Sequence, residues 1–230
     1  MKKSFVLAVV CANLMATGGG STRSAVPSRS SPALSAFGSA WAAVATYSAT
    51  ITVSEQKSAK VQKAVIKVFK YTFRRPSTVT VDLVGGPNSG VSLLWTGGTT
   101  VIAHRGSGLS GMFKKTLSLH DPQITTARGS SIDELSFGHI LAHAQQTPGK
   151  ISQGPGVTIN GVATEAVTLI PTDPASDAGY TRETIEISRT THLPLRVLGY
   201  QGPTVVRKID FVDVKVTNEN ANLRKATGSL

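Results

Sequence analysis

The chain has 230 residues, a single cysteine, 40% hydrophobic residues and a formal net charge of +11 at pH 7. That length suits one domain with a sizeable core, and a lone cysteine excludes an internal disulfide or a zinc site built on several thiolates. The basic balance favours an anionic partner such as lipid head groups or an acidic polymer, although such charge also keeps a β-rich surface soluble.

Lys2 and Lys3, the short apolar run Phe5 to Ala12 and the small residues Ala16-Thr17-Gly18 follow the pattern of a secretory leader. The run is too short to span a bilayer. Export places the mature protein in the periplasm, beside a membrane and away from nucleotide-fuelled chemistry. Nucleic acid is therefore not an expected partner, and neither a recognition helix nor a pair of stacking aromatics appears. The only cysteine, Cys11, lies inside the leader. Val10 precedes it where acylation signals place a small residue, so anchoring through Cys11 is not expected. The expected organisation is a leader over residues 1–18, a flexible lead-in over 19–31, one domain over 32–217 and a loose tail over 218–230.

Ser31-Pro32 reads as a hydroxyl cap followed by proline at the first helical position. Leu34, Phe37, Trp41 and Val44 then form one apolar stripe, predicting a helix from Pro32 to about Thr46. From Tyr47 the period becomes two: Tyr47, Ala49, Ile51 and Val53 alternate with polar residues, as in a half-buried strand. Between Lys57 and Arg75 stand seven basic residues and no acid. As a helix this segment would oppose Val61, Ala64, Val65, Val68 and Phe69 to Lys60, Lys63, Lys67 and Lys70, the pattern of a membrane-surface helix. Its β-branched and aromatic residues from Val65 to Phe73 favour a strand, which is the reading adopted. Val79, Val81 and Leu83 alternate next; Val91, Leu93 and Trp95 follow, and after Gly97-Gly98 the chain returns through Thr99 to Ala103.

Between Ala103 and Gln146 no strand is expected. Gly106, Gly108 and Gly111 make a loop, Asp121-Pro122 a turn, and Ser131 or Asp133 caps a helix over about Glu134 to Ala144. Asn160-Gly161 is a strong two-residue hairpin signal between Val157–Ile159 and Val162–Leu169. Tyr180–Ser188, Pro194–Tyr200 and Val205–Thr217 complete the strands. The chain thus reads helix, a first run of strands, a helical insertion, then about five strands. The absence of repeated βα units excludes a doubly wound parallel sheet. The expected class is α+β: a curved antiparallel sheet with helices against one face.

Known chemical signatures are weak. Gly106-Ser107-Gly108-Leu109-Ser110-Gly111 has the spacing of a dinucleotide fingerprint without the βαβ context it requires. His139 and His143 share a helix face, but Ile140 stands where zinc hydrolases carry glutamate, and Glu134 lies toward the far side. They read as surface or boundary histidines, and no metal site is expected. Ser54-Glu55-Gln56-Lys57 matches S-x-x-K by spacing alone. Neither an enzyme nor a cofactor is expected.

The stretch Val91 to Leu141 resembles a family of exported bacterial proteins known as a domain of unknown function. The matching residues are His104, Gly106, Thr116-Leu117-Ser118-Leu119, Asp121-Pro122, Ala127, Gly129, Ile132, Glu134, Phe137-Gly138 and Ile140-Leu141. Phe73-Arg74-Arg75-Pro76 resembles that family's basic-Pro turn. His192-Leu193-Pro194-Leu195-Arg196, Tyr200-Gln201-Gly202 and Phe211-Val212-Asp213-Val214 look like the closing hairpin of the wider LolA/LolB/RseB-like superfamily of outer-membrane lipoprotein carriers. The resemblance implies an unclosed β-barrel with helices over its concave face, and a hydrophobic trough for a lipid or an acylated, lipoprotein-like ligand. The alternative is an envelope-stress sensor or scaffold of the same fold that binds a protein partner. Candidate trough residues are Ile66, Val68, Val81, Leu93, Trp95, Val167, Ile185, Ile187 and Val197. Packing of those residues against the helices would leave no void, and the sequence leaves both outcomes open. Lys60, Lys63, Lys67, Lys70, Arg74 and Arg75 are the candidate contacts with an anionic membrane surface or envelope protein. A monomer is expected.

Overall fold

The computed structural model describes residues 31–86, 89–105 and 113–218. The leader, Cys11, most of the lead-in, the glycine loop and the tail beyond Asn218 lie outside the described residues. Helix α1 spans Pro32–Ala43; the Ser31 hydroxyl accepts from Leu34 N at 3.2 Å, as its Ser-Pro start implies. The helix ends short of Thr46. Val44 and Thr46 are β-branched, and Arg75 holds the last turn by donating from Nε to Val44 O (2.5 Å) and from Nη2 to Trp41 O (2.6 Å). Its guanidinium also lies 4.7 Å from the Trp41 ring. The exposed carbonyls of the helix end are thus satisfied by a side chain from a distant turn.

Six strands follow: β1 (Val44–Glu55), β2 (Val65–Arg74), β3 (Thr78–Gly85), β4 (Val91–Trp95), β5 (Thr100–Arg105) and β6 (Phe113–Ser118). Sequence periodicity marks all but β6, which falls where no strand was expected. Its interior residues Lys114, Lys115 and Thr116 are exposed, so this edge strand carries almost no apolar alternation. A loop containing a single 3₁₀ turn, Asp133–Leu135, then leads to α2 (Phe137–Gln146). Ser136 caps α2 by accepting from His139 N at 3.1 Å, in place of the expected Ser131 or Asp133. Five more strands complete the chain: β7 (Gly149–Ile159), β8 (Val162–Pro171), β9 (Arg182–Ser188), β10 (Pro194–Gln201) and β11 (Thr204–Asn218). Asn160 and Gly161 both take positive φ (50° and 80°), which is why this dipeptide makes the β7–β8 turn.

All eleven strands form one antiparallel sheet in the order β6-β5-β4-β3-β2-β1-β11-β10-β9-β8-β7. The sheet does not close: β6 and β7 are its free edges. On β7, Pro155 has no N–H to offer, and the ladder is irregular between Pro155 and Thr158. Consecutive strands are neighbours in the sheet except β6 and β7, which lie at opposite edges, and β1 pairs with β11 to join the two halves. This is the unclosed half-barrel that periodicity and the resemblance imply.

The inner face is set by aromatic rows. Tyr47 of β1 stacks on Tyr71 and Phe73 of β2 (centroids 5.8 and 5.7 Å) and on Phe137 of α2 (4.3 Å, 11° between planes). Trp41 of α1 packs edge-on to Tyr47 and Phe137. Gly138 permits this approach, because a Cβ there would sit 2.9 Å from the Trp41 ring. The two helices therefore fill the middle of the concave face with the protein's own side chains.

Candidate functional site

The candidate trough residues divide between the two faces of the sheet. Val81, Leu93, Val167, Ile185, Ile187 and Val197 point inward and belong to the continuous core, each no more than 6% exposed. Trp95 is half-buried at its margin and donates from Nε1 to Gly98 O at 2.9 Å. Ile66 and Val68 are corrected to the outer face, Ile66 being 53% exposed. The β1–β2 register explains the correction: Tyr47 pairs with Phe73 and Ile51 with Phe69, so the ring-bearing row faces inward and its alternates face out.

The candidate basic contacts divide similarly. Lys60, Lys63, Lys70 and Arg74 are exposed. Lys67 instead points inward and is buried, donating from Nζ to Thr125 O at 2.6 Å. Burial lowers its pKa from the ordinary lysine value, against a smaller opposing pull from the Glu55 carboxylate. Arg75 is occupied by the end of α1.

An apolar cavity of about 360 Å³ opens at the β3–β6 end of the concave face. Leu83, Val91, Ala103, Leu117 and Ile124 form its walls, with His104, Arg105 and Lys115 also lining it. Strand pairing places Arg105 opposite Val91 and Lys115 opposite Ala103, on the same side of the sheet as Leu93. The result is a greasy hollow with cations at its mouth. A second apolar groove of about 380 Å³ lies at the opposite wing, between Val162, Leu193, Leu195, Val214 and Val216, and its lining residues include no cation. Sequence reasoning missed the first cavity because β6, which supplies Lys115 and Leu117, was not foreseen.

A polar cleft of about 240 Å³ lies under the end of α2. His143 comes from the last turn of that helix, Glu183 from the inward row of β9 that continues as Ile185 and Ile187, and Asp177 from the turn after a second 3₁₀ segment, Pro174–Ser176. His143 Nε2 lies 2.5 Å from Glu183 Oε2 and 3.4 Å from Asp177 Oδ1, and its Nδ1 lies 3.2 Å from Thr147 Oγ1. Asp177 Oδ2 and Tyr180 Oη are buried without a hydrogen-bond partner. Burial pushes Asp177 up to about 6, aided by the Glu183 charge and opposed by His143 and Arg207. For His143, burial works to lower the pKa, but the Glu183 hydrogen bond and charge outweigh it and raise the value. Arg207 reaches the cleft with its Nε 3.2 Å from Glu55 Oε1. Arg128 secures the surrounding turn through bonds to Gln56 O, Lys57 O and Ala178 O. His139 remains exposed, its ring 6.4 Å from that of His143. The acids facing His143 thus come from beyond position 170, where helical spacing could not reveal them.

No family model and no curated protein matches the chain. Among solved structures it is similar to an uncharacterized conserved protein from Thermus thermophilus at 10% identity and TM-score 0.46, over 84% of this chain and 90% of that one. It is also similar to the Mycobacterium tuberculosis lipoprotein LppX at 15% identity and TM-score 0.46, over 83% and 97%. A LolA superfamily protein from Nitrosomonas europaea aligns at 11% identity and TM-score 0.35, over 84% and 97%.

Proposed function

We propose that this is an exported binding protein for a lipid or acylated ligand, which it holds by burial without covalent chemistry. The supporting observation is the β3–β6 cavity, whose apolar walls and basic mouth match an acyl chain carrying an anionic head. Its volume of about 360 Å³ falls within the range of roughly 300–1,000 Å³ common for small-molecule sites. The tail lies along Leu83, Val91, Ala103, Leu117 and Ile124, and the head meets Arg105 and Lys115. Each methylene withdrawn from water contributes about 0.8 kcal/mol, so even a partly inserted chain is held. The binding region is thereby moved from the middle of the concave face, which α1 and α2 occupy, to its β3–β6 end. Lys60, Lys63, Lys70 and Arg74 serve as a separate contact with an anionic membrane surface.

The test is mass spectrometry of organic extracts from gently purified protein, followed by titration with a fluorescent fatty acid. Lipid is expected at near one-to-one. Ala103→Phe should weaken the probe about tenfold, the effect of excluding about two methylenes. Ile102→Phe, on the opposite face, should not. Failure to recover lipid, together with no thermal shift on adding lysophospholipid, would overturn the reading, as would equal effects of the two variants.

A further inference from the structure

We propose that His143, Asp177 and Glu183 form a binding site for a divalent transition-metal ion of the zinc class. One ligand atom from each residue lies within 4.8 Å of the other two. The donor set, one imidazole nitrogen and two carboxylates, is of the kind zinc accepts, with the cleft left open for a water as fourth ligand. The site converges from a helix end, a turn and a strand, positions far apart in the chain.

The local hydrogen bonding supports this assignment. When His143 Nδ1 donates to Thr147 Oγ1 at 3.2 Å, the Nε2 lone pair is directed at the two carboxylates. Such an outer partner fixes the tautomer and orientation that a metal-bound imidazole requires. Three electron-rich atoms then face one another, an arrangement completed either by a proton on Nε2 shared with Glu183 or by a cation that displaces it. Asp177 supplies an independent sign: it is only 6% exposed and lines the cleft, yet its Oδ2 has no hydrogen-bond partner. An unpaired carboxylate oxygen held out of water is costly unless the group takes a proton or a cation completes it, and one ion meeting Asp177 at both oxygens would complete Oδ1 and Oδ2 together.

Distances are compatible with modest adjustment. Metal–ligand bonds of about 2.0–2.2 Å place tetrahedral ligand atoms about 3.4 Å apart. The His143–Asp177 separation is already 3.4 Å, whereas Glu183 at 2.5 Å must swing back by about 1 Å. The other charged groups lining the cleft are Glu134, His139 and Arg207. Arg207 pairs with Glu55, yet its charge still reaches Asp177 and His143, and a bound cation must outweigh that repulsion with the two carboxylates.

The experiment uses untagged full-length protein freed of metal with a chelator, then titrated with zinc chloride by calorimetry at pH 7. One ion per chain is expected, unaffected by millimolar magnesium. Asp177→Asn and Glu183→Gln, which keep shape and remove charge, should each weaken zinc at least about tenfold, while His139→Ala leaves it unchanged. Cobalt(II) on the wild type should give the strong visible bands of a four-coordinate centre. No zinc uptake, affinity indifferent to Asp177→Asn and Glu183→Gln, or loss on His139→Ala would each overturn the site. If the variants fail to fold, the absence of the cobalt bands in the wild type would overturn it alone.

Discussion

Lys67 shares the inward row of β2 with Phe69, Tyr71 and Phe73, and its ammonium enters the protein to meet Thr125 O. Because burial lowers its folded pKa, the folded state binds fewer protons than the unfolded chain on approaching 10.5. Stability from this group therefore rises with pH across that window. Wild-type protein should gain on Lys67→Met in urea midpoint between pH 7 and 10.5; a constant difference would mean that the ammonium is well solvated. The sequence concealed this placement, since Ile66 and Val68 are more apolar than Lys67 and read as the natural inward pair. Three rings at alternate positions outweigh one charged end, whose stem can pack while its tip finds a carbonyl. His143 was equally opaque: its helix neighbours were visible, but its partner Glu183 stands 40 residues away.

The helices show how a tertiary contact edits a local signal. The Ser-Pro start of α1 was legible because its determinants are adjacent, whereas its end depends on Arg75, 31 residues beyond Val44. Ser136 could be read as a cap only once the 3₁₀ turn ahead of it was known. Between α1 and α2, Gly138 sets the spacing. Gly138→Ala would gain up to about 1 kcal/mol in helix propensity, but its methyl would stand 2.9 Å from Trp41, and overpacking costs about 1–3 kcal/mol. With the full propensity gain, a net loss of about 0–2 kcal/mol is expected in urea unfolding. A gain would mean that the Trp41 ring is free to yield.

Across the molecule, strict alternation in β1, β3 and β4 made the half-barrel foreseeable, and the hairpin at Asn160-Gly161 fixed part of its order. Whether the concave face was vacant or full was not legible, because both states require the same apolar rows. Packing of Phe37, Trp41 and Phe137 above Tyr47 resolves it in favour of a filled centre. The overall charge of +11 and the exposed Lys60, Lys63, Lys70 and Arg74 act over long range. Binding to vesicles rich in anionic lipid should fall steeply between 0.05 and 0.5 M salt (roughly 13 to 4 Å in screening length) and should weaken when these four residues are reversed to Glu. Cosedimentation insensitive to salt would exclude an electrostatic contact.

A sheet that stops before closing has two raw margins along which copies of the chain could zip into ribbons. Pro155 and the irregularity beside it blunt one margin, and Lys114 with Lys115 guards the other. Growth by strand addition is thereby discouraged at both ends of the half-open sheet.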